Sequence, residues 1–304
     1  MIYTITLNPS VDYLLEVEQF SLGKTNRAEA QKMVPGGKGI NVSRVLKRFG
    51  TYSEVLGFTA GFTGSFIKDE LNKEGIIHRF IDTEGQTRIN VKLQTDMETE
   101  INGKAPEILD YHVDKLMKQL DMLASGDVLV LSGSVPSILS TEIYKIIIDQ
   151  VKQRGVVTFV DTSGLPLKAA IEAKPFLIKP NQHELEELYE ESISDLKSAV
   201  KLAKKTVDAG EVQNVLISMA GEGAALVTKE NSFLATVPQG IVKNSVGAGD
   251  SMVAGFLFAY MQSTEIEEAF RFSVAAGSAT AFSEDFCSLN QVQSLIKEVS
   301  IETN

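Results

Sequence analysis

The chain has one cysteine, Cys287, and no tryptophan among its 304 residues. A lone cysteine excludes an intramolecular disulfide, so nothing here supports a secreted, disulfide-stapled fold. Three histidines, His78, His112 and His183, are scattered without metal-ligand or triad spacing. No apolar run approaches the ~20 residues of a membrane-spanning helix. The opening MIYTITLNPS carries neither a basic leader nor a cleavage-type site. These absences lead us to expect a cytoplasmic protein. Positive charge is also in deficit, with 29 Lys and Arg against 40 Asp and Glu and a net charge of −11. That balance argues against a general binder of nucleic acid or anionic membrane. A site for phosphates would have to be locally positive, which makes cations beside glycines informative.

The rest of the composition is that of a globular protein: 43% hydrophobic and 23% charged residues, in a chain long enough for a full core. From Tyr111 onward, amphipathic helical stretches alternate with short apolar strands such as VLVLS and VLIS. Helices that alternate with near-continuous apolar strands predict a mainly parallel sheet buried on both faces. Two regions interrupt the alternation with strand-only, polar-faced sequence, at 13–34 and between Ile81 and Lys104, and the chain closes on a helix expected at Leu289 to Val299. We expect the strands at about 13–34 and 87–104 to pair as a small β-sheet lid over one domain spanning 1–304.

Two glycine turns stand out. NSVGAGDSMVAG, Asn244 to Gly255, places Gly247, Ala248 and Gly249 just before Asp250 and an apolar helical run. A tight turn at a helix start leaves backbone N–H groups unpaired where the dipole favours negative charge, so it can cradle phosphate oxygens. A carboxylate there, Asp250, could take the proton from an attacking hydroxyl. Asp is equally a common N-cap, so the motif alone does not decide. The second turn, PGGKGINVSRVLKRFG, carries Gly36, Gly37, Lys38 and Asn41 into a helix with i, i+3, i+4 apolar spacing. It is neither a Walker A loop nor a dinucleotide fingerprint, but its backbone donors, point charge and amide could hold a sugar phosphate.

In parallel sheets ligands sit beyond the strands' carboxyl ends. The residues there are small and polar: Asp12 after the first strand; Ser132, Gly133 and Ser134; Asp161; Lys179 and Asn181; and Ser218 through Gly223. Asn181 and Glu184 lie three apart at a helix start. They could share a hydrated Mg²⁺, or simply form a capping box.

The two glycine turns, with TLNPSVD, TRINVK, TEING, SGSVP, IKPNQHE and SATAF, resemble the signatures of the ribokinase-like PfkB carbohydrate kinases, from Met1 to about residue 300. Within that family the likeness is greatest to the 1-phosphofructokinase branch, with tagatose-6-phosphate kinases as its sister. The resemblance implies a three-layer α/β/α fold with a mainly parallel central sheet and a small lid. It implies ATP-dependent phosphorylation of fructose 1-phosphate at the 6-hydroxyl, or of tagatose 6-phosphate as the alternative. Asp250 would be the general base, and Gly247, Ala248 and Gly249 the anion hole. Asp12, Gly36, Gly37, Lys38, Asn41 and Ser134 would grip the sugar phosphate, with Arg27 and Arg88 reaching in from the lid. ATP would meet Asn181, Ser218, Met219, Ala220, Gly221, Glu222, Gly223 and Gly249, with Ala276, Gly277 and Ala279 lining the adenine pocket. Glu184 would hold Mg²⁺ through water. A monovalent cation and a homodimer paired through the lids are compatible with the same resemblance.

Overall fold

The computed structural model describes residues 1–95, 98–263 and 265–303. At its centre is a ten-stranded sheet. Seven strands are parallel: β1 (Ile2–Thr6), β4 (Ser53–Ala60), β5 (Ile77–Thr83), β8 (Val128–Ser132), β9 (Val157–Asp161), β10 (Leu177–Ile178) and β11 (Asn214–Ser218). Three antiparallel strands, β12 (Ala224–Thr228), β13 (Ser232–Ala235) and β14 (Ile301–Thr303), extend it beyond β11. The order is β14-β13-β12-β11-β10-β9-β8-β1-β4-β5.

The strands' apolar runs serve two cores, one on each face. Tyr3, Ile5, Leu129 and Leu131 point to one face, Ile2, Val128 and Val130 to the other, as the two-residue strand period requires. Five helices cover the first face: α3 (Asp110–Leu120), α4 (Ile143–Lys152), α5 (Gly164–Glu172), α6 (Gln182–Tyr189) and α7 (Leu196–Asp208). The second lies under α1 (Lys38–Arg48), α8 (Ala248–Ser263), α9 (Ile266–Ala281) and α10 (Leu289–Leu295). The fold is the expected three-layer α/β architecture. Helix α2 (Gly61–Lys73) closes a smaller cluster around Val11, Ile40 and Val55.

The strand-only regions form a separate four-stranded sheet, ordered β3-β2-β6-β7: β2 (Ser10–Glu16), β3 (Ala30–Gly36), β6 (Arg88–Gln94) and β7 (Glu98–Asn102). The chain therefore leaves β1, builds half of the lid, and returns as α1. Since β4 and β8 flank β1 on opposite sides, the strand order reverses at the carboxyl end of β1, where α/β sheets open a crevice.

Two strand assignments differ from sequence expectation. The strand-like sequence around Ile81 belongs to β5, an edge strand of the main sheet, not to the lid region. Its polar alternation imitates a lid strand because of its seven residues only Ile81 is buried. The C-terminal helix expected through Val299 stops at Leu295, and after a short 3₁₀ turn the chain adds β14 to the far edge.

Candidate active site

Helix α1 begins hard against the end of β1. A side chain at Gly39 would meet Ile5 O at 2.7 Å and Thr6 Oγ1 at 2.5 Å, and Gly37 has a φ of +122°. Glycine is needed at both places, and with it the Ile40 N–H can donate to Thr6 Oγ1 at 3.0 Å. This start aims Lys38 and Asn41, one helical turn apart, into the crevice. Gly36, at the end of β3, is equally constrained: a Cβ there would lie 2.5 Å from the Asp12 carboxylate.

Helix α8 supplies the opposing wall. Gly247, at φ +78°, turns the chain into it, and Asp250 falls in the first turn with 5% of its surface exposed. Asn41 Nδ2 donates to Asp250 Oδ2 at 2.8 Å. Beneath lies Asp161 at the end of β9, 1% exposed, with Lys38 Nζ at 2.9 Å and Lys179 Nζ at 3.4 Å from its Oδ1. Asp161 Oδ2 is buried without a hydrogen-bond partner.

The charges set one another. Burial, then the negative charge of Asp161, pushes the Asp250 carboxyl up to about 6. Burial would raise Asp161 too, but Lys179 and Lys38 hold it below the usual carboxylate range. Lys38 is depressed by burial and raised by Asp161, Glu184 and Asp250, which win. One carboxyl is thus locked as an anion while its neighbour is poised near neutrality. Such divergence marks acid–base sites.

The lid closes the third side. Asp12 Oδ1 accepts from Ser10 Oγ at 2.7 Å and Asn90 Nδ2 at 3.1 Å. Arg88 Nη2 donates to Asn8 O at 3.0 Å, its Nε is buried and unpaired, and burial lowers its pKa. Asn8 Nδ2 donates to Ser134 Oγ at 3.1 Å. The resulting cavity measures ≈ 490 Å³ and is lined by residues from both sheets and from the starts of α1, α6 and α8.

Of the residues singled out in the sequence, Asp12, Gly37, Lys38, Asn41, Arg88, Gly133, Ser134, Asp161, Lys179, Asn181, Glu184, Ser218, Gly247, Gly249 and Asp250 line this cavity. Asn181 and Glu184 form the capping box, Glu184 N–H donating to Asn181 Oδ1 at 2.8 Å and Asn181 N–H to Glu184 Oε2 at 2.9 Å. The other oxygen, Oε1, faces Lys38 Nζ at 3.7 Å. Among the described residues no cluster of three or more His, Cys, Asp or Glu could itself hold a metal ion.

Met219 is buried, Ala220–Glu222 make an exposed 3₁₀ turn, and Gly223, at φ +118°, closes it between β11 and β12. Ala276 and Ala279 are buried in α9, and a side chain on Gly277 would strike Met252 of α8 at 2.6 Å. Arg27 is exposed on the connection between β2 and β3, away from the cavity of its own chain. The lining residues that sequence reasoning missed are chiefly Asn90, Lys92 and Glu100. Their signal was present: Arg88, Asn90 and Lys92 alternate along TRINVKLQ and so share one face of β6.

The sequence matches the description "pfkB family carbohydrate kinase" over residues 5–291. It is 49% identical to a 1-phosphofructokinase of Bacillus subtilis, with 99% of each chain covered. It is 31% identical to a tagatose-6-phosphate kinase of Staphylococcus epidermidis, again with 99% of each covered. The fold superposes on phosphofructokinase-2 from Escherichia coli in complex with potassium, with a TM-score of 0.92, 29% identity and 98% of each chain covered. A match of this extent, on a fold whose crevice carries the glycine turns and the buried aspartate, means that the chain belongs to the pfkB family of carbohydrate kinases, enzymes that phosphorylate sugars.

Proposed function

We propose that this kinase transfers the γ-phosphoryl group of ATP to the 6-hydroxyl of fructose 1-phosphate, giving fructose 1,6-bisphosphate and ADP. The observation that carries the chemistry is Asp250: buried, at a helix N-terminus in the cavity, and with a carboxyl pushed up to about 6. A base of that strength is charged at neutral pH yet basic enough to accept a proton as the hydroxyl attacks. The sugar oxygen forms its bond to the γ-phosphorus while the bond to the β,γ-bridging oxygen breaks, and the hydroxyl proton passes to Asp250. The backbone N–H groups of Gly247, Ala248 and Gly249 offset the charge on the moving phosphoryl group.

The choice of acceptor is supported by the 49% identity to a 1-phosphofructokinase, against 31% to a tagatose-6-phosphate kinase. The phosphorylated end of the sugar lies toward the lid, where Arg88 and Asp12 stand, and the 6-hydroxyl toward α8. Asn181, Ser218 and the turn through Gly223 take the nucleotide. Glu184 Oε1 and the unpaired Asp161 Oδ2 are the hard oxygen donors that suit Mg²⁺. Once bound, the ion neutralises phosphate charge. The potassium complex of the Escherichia coli relative supports a monovalent cation as well.

The lid's outer face supports a homodimer. Met33, Tyr13, Val91 and Ile101 fall in one row across its four strands, with Met33 39% and Ile101 62% exposed. A partner's lid would cover that row. The deciding experiment compares kcat/KM for fructose 1-phosphate, tagatose 6-phosphate and fructose 6-phosphate in a coupled ADP-release assay with Mg-ATP. Preference for fructose 1-phosphate by more than about tenfold, ~1.4 kcal/mol of discrimination, upholds the assignment. Preference for tagatose 6-phosphate would keep the mechanism and change the acceptor.

A further inference from the structure

A phosphorylated sugar must enter a cavity whose own charges already compensate one another. Four cations line it, Lys38, Arg88, Lys92 and Lys179, against five carboxylates, Asp12, Glu100, Asp161, Glu184 and Asp250. A dianionic ligand adds no positive charge, so beyond a cation that is already unpaired, any further compensation must come from a cation that exchanges its carboxylate partner for the phosphate. Burial decides which exchange is cheapest. Lys38 and Lys179 both neutralise Asp161, which is 1% exposed, and withdrawing either leaves a buried charge poorly compensated. Among the described residues Arg88 has no ion-pair partner to surrender, and its Nε is buried and unpaired. Lys92 is different from all three. Its Nζ pairs with Glu100 at 3.1 Å, straight across the register between β6 and β7, and lies 4.0 Å from Asp12 Oδ2. The Glu100 side chain is 43% exposed whereas that of Lys92 is 15% exposed. Water can solvate Glu100 once its partner leaves, so the exchange costs little there.

We propose that Lys92 is a specificity-determining residue, which binds the sugar's phosphate together with Arg88, and that Glu100 is the resident anion this phosphate displaces. The ligand chemistry is a phosphate monoester on a ketohexose, at the end remote from the reacting hydroxyl. The proposal rests on the kinase reading above and deepens it. It explains why a strongly acidic protein accepts an anionic substrate: the lid stores one cation against an expendable carboxylate. It also makes the enzyme select phosphorylated over free sugars, because without the phosphate Lys92 gains nothing by leaving Glu100.

The two partners predict opposite signs, which a merely structural ion pair would not give. Lys92→Met should raise KM for the sugar phosphate by about tenfold or more, with a much smaller change in KM for ATP. Its preference for the phosphorylated sugar over free fructose should fall by a similar factor. Lys92→Arg should recover part of the loss. Glu100→Gln removes the competing anion and should lower KM for the sugar phosphate. Kinetics of wild type and the three variants would be read on fructose 1-phosphate, tagatose 6-phosphate and fructose, with melting temperatures as the check on folding. If Lys92→Met does not fold, Glu100→Gln still decides through the sign of its effect. KM within twofold of wild type in Lys92→Met, on whichever sugar phosphate the wild type prefers, would overturn the proposal. So would a raised or unchanged KM in Glu100→Gln. A wild-type preference for tagatose 6-phosphate would refute the fructose 1-phosphate reading alone, since the Lys92 effect is then measured on that sugar.

Discussion

Asn41 Nδ2 donates to Asp250 Oδ2 at 2.8 Å, and this bond ties the first turn of α1 to the first turn of α8, 209 residues away in sequence. The bond occupies one carboxylate oxygen with an amide donor and leaves the other for the substrate hydroxyl of the proposed mechanism. It also explains why the two glycine turns matter jointly. Each starts a helix, and only where the two starts converge does the acidic group acquire its orientation.

Replacing that carboxylate should separate chemistry from folding. Asp250→Asn keeps an oxygen for Asn41 to donate to but removes the proposed base, so kcat should fall by about 10² to 10⁴-fold with ATP binding retained. The same change should stabilise the protein at neutral pH. The Asp250 carboxyl rises from 3.8 to about 6 on folding. Between those values the folded chain holds a proton that the unfolded chain has lost, so burial of Asp250 costs stability above this window and nothing below it. The melting temperature of Asp250→Asn should exceed that of wild type at pH 7.5, and the gap should close toward pH 4. Near-normal turnover, or a gap that widens in acid, would contradict the assignment.

The pH dependence of turnover follows from the same group. Asp161 on β9, Lys38 on α1, Lys179 beyond β10 and the Asn41 amide all face Asp250. Below about pH 6 the proposed base, Asp250, is protonated, so kcat should fall roughly tenfold per pH unit on the acid side. Sugar phosphates titrate in this range as well. Measuring kcat at saturating substrate, and showing that the acid limb vanishes from the residual rate of Asp250→Asn, separates the two. An acid limb that persists in the variant would assign it elsewhere.

Much of this architecture was legible because local signals agreed with the global fold. VLVLS and VLIS became β8 and β11 at the sheet's centre, and both glycine turns became helix starts at the cavity. What escaped was information carried only in three dimensions. β5 is a parallel edge strand with one buried residue, so its sequence resembles a lid strand. Lys92 and Glu100 lie on separate strands, and only the register of β6 against β7 places them opposite each other. The Asn181 and Glu184 capping box was readable as such, but Lys38, 3.7 Å from Glu184, could not be inferred from spacing. Phe286 gave no signal at all, because nothing in the sequence ties this residue after α9 to the glycine turn before α8.

Phe286 nevertheless bears on the proposed anion hole. A Cβ on Gly247 would lie 2.3 Å from its Cε1, so the ring packs directly on the glycine turn. Two arginines of α1 hold the ring, with the Arg44 and Arg48 guanidinium carbons 5.0 and 5.6 Å from its centroid. Arg48 also donates to Phe286 O and, at 2.6 Å, to Asp285 Oδ2. The helix that carries Lys38 and Asn41 thereby braces the turn that carries Gly247. Phe286→Ala should cost roughly 1 kcal/mol of stability, since the ring is only partly buried. Its larger effect should fall on kcat, because a loosened turn no longer presents its N–H groups at a fixed distance from the moving phosphoryl group, and loss of one such donor costs about 10²-fold or more. We expect a kcat reduction of at least about tenfold, with KM for the sugar phosphate changed far less and Phe286→Tyr close to wild type. A variant that loses stability and keeps kcat would reduce Phe286 to ordinary packing.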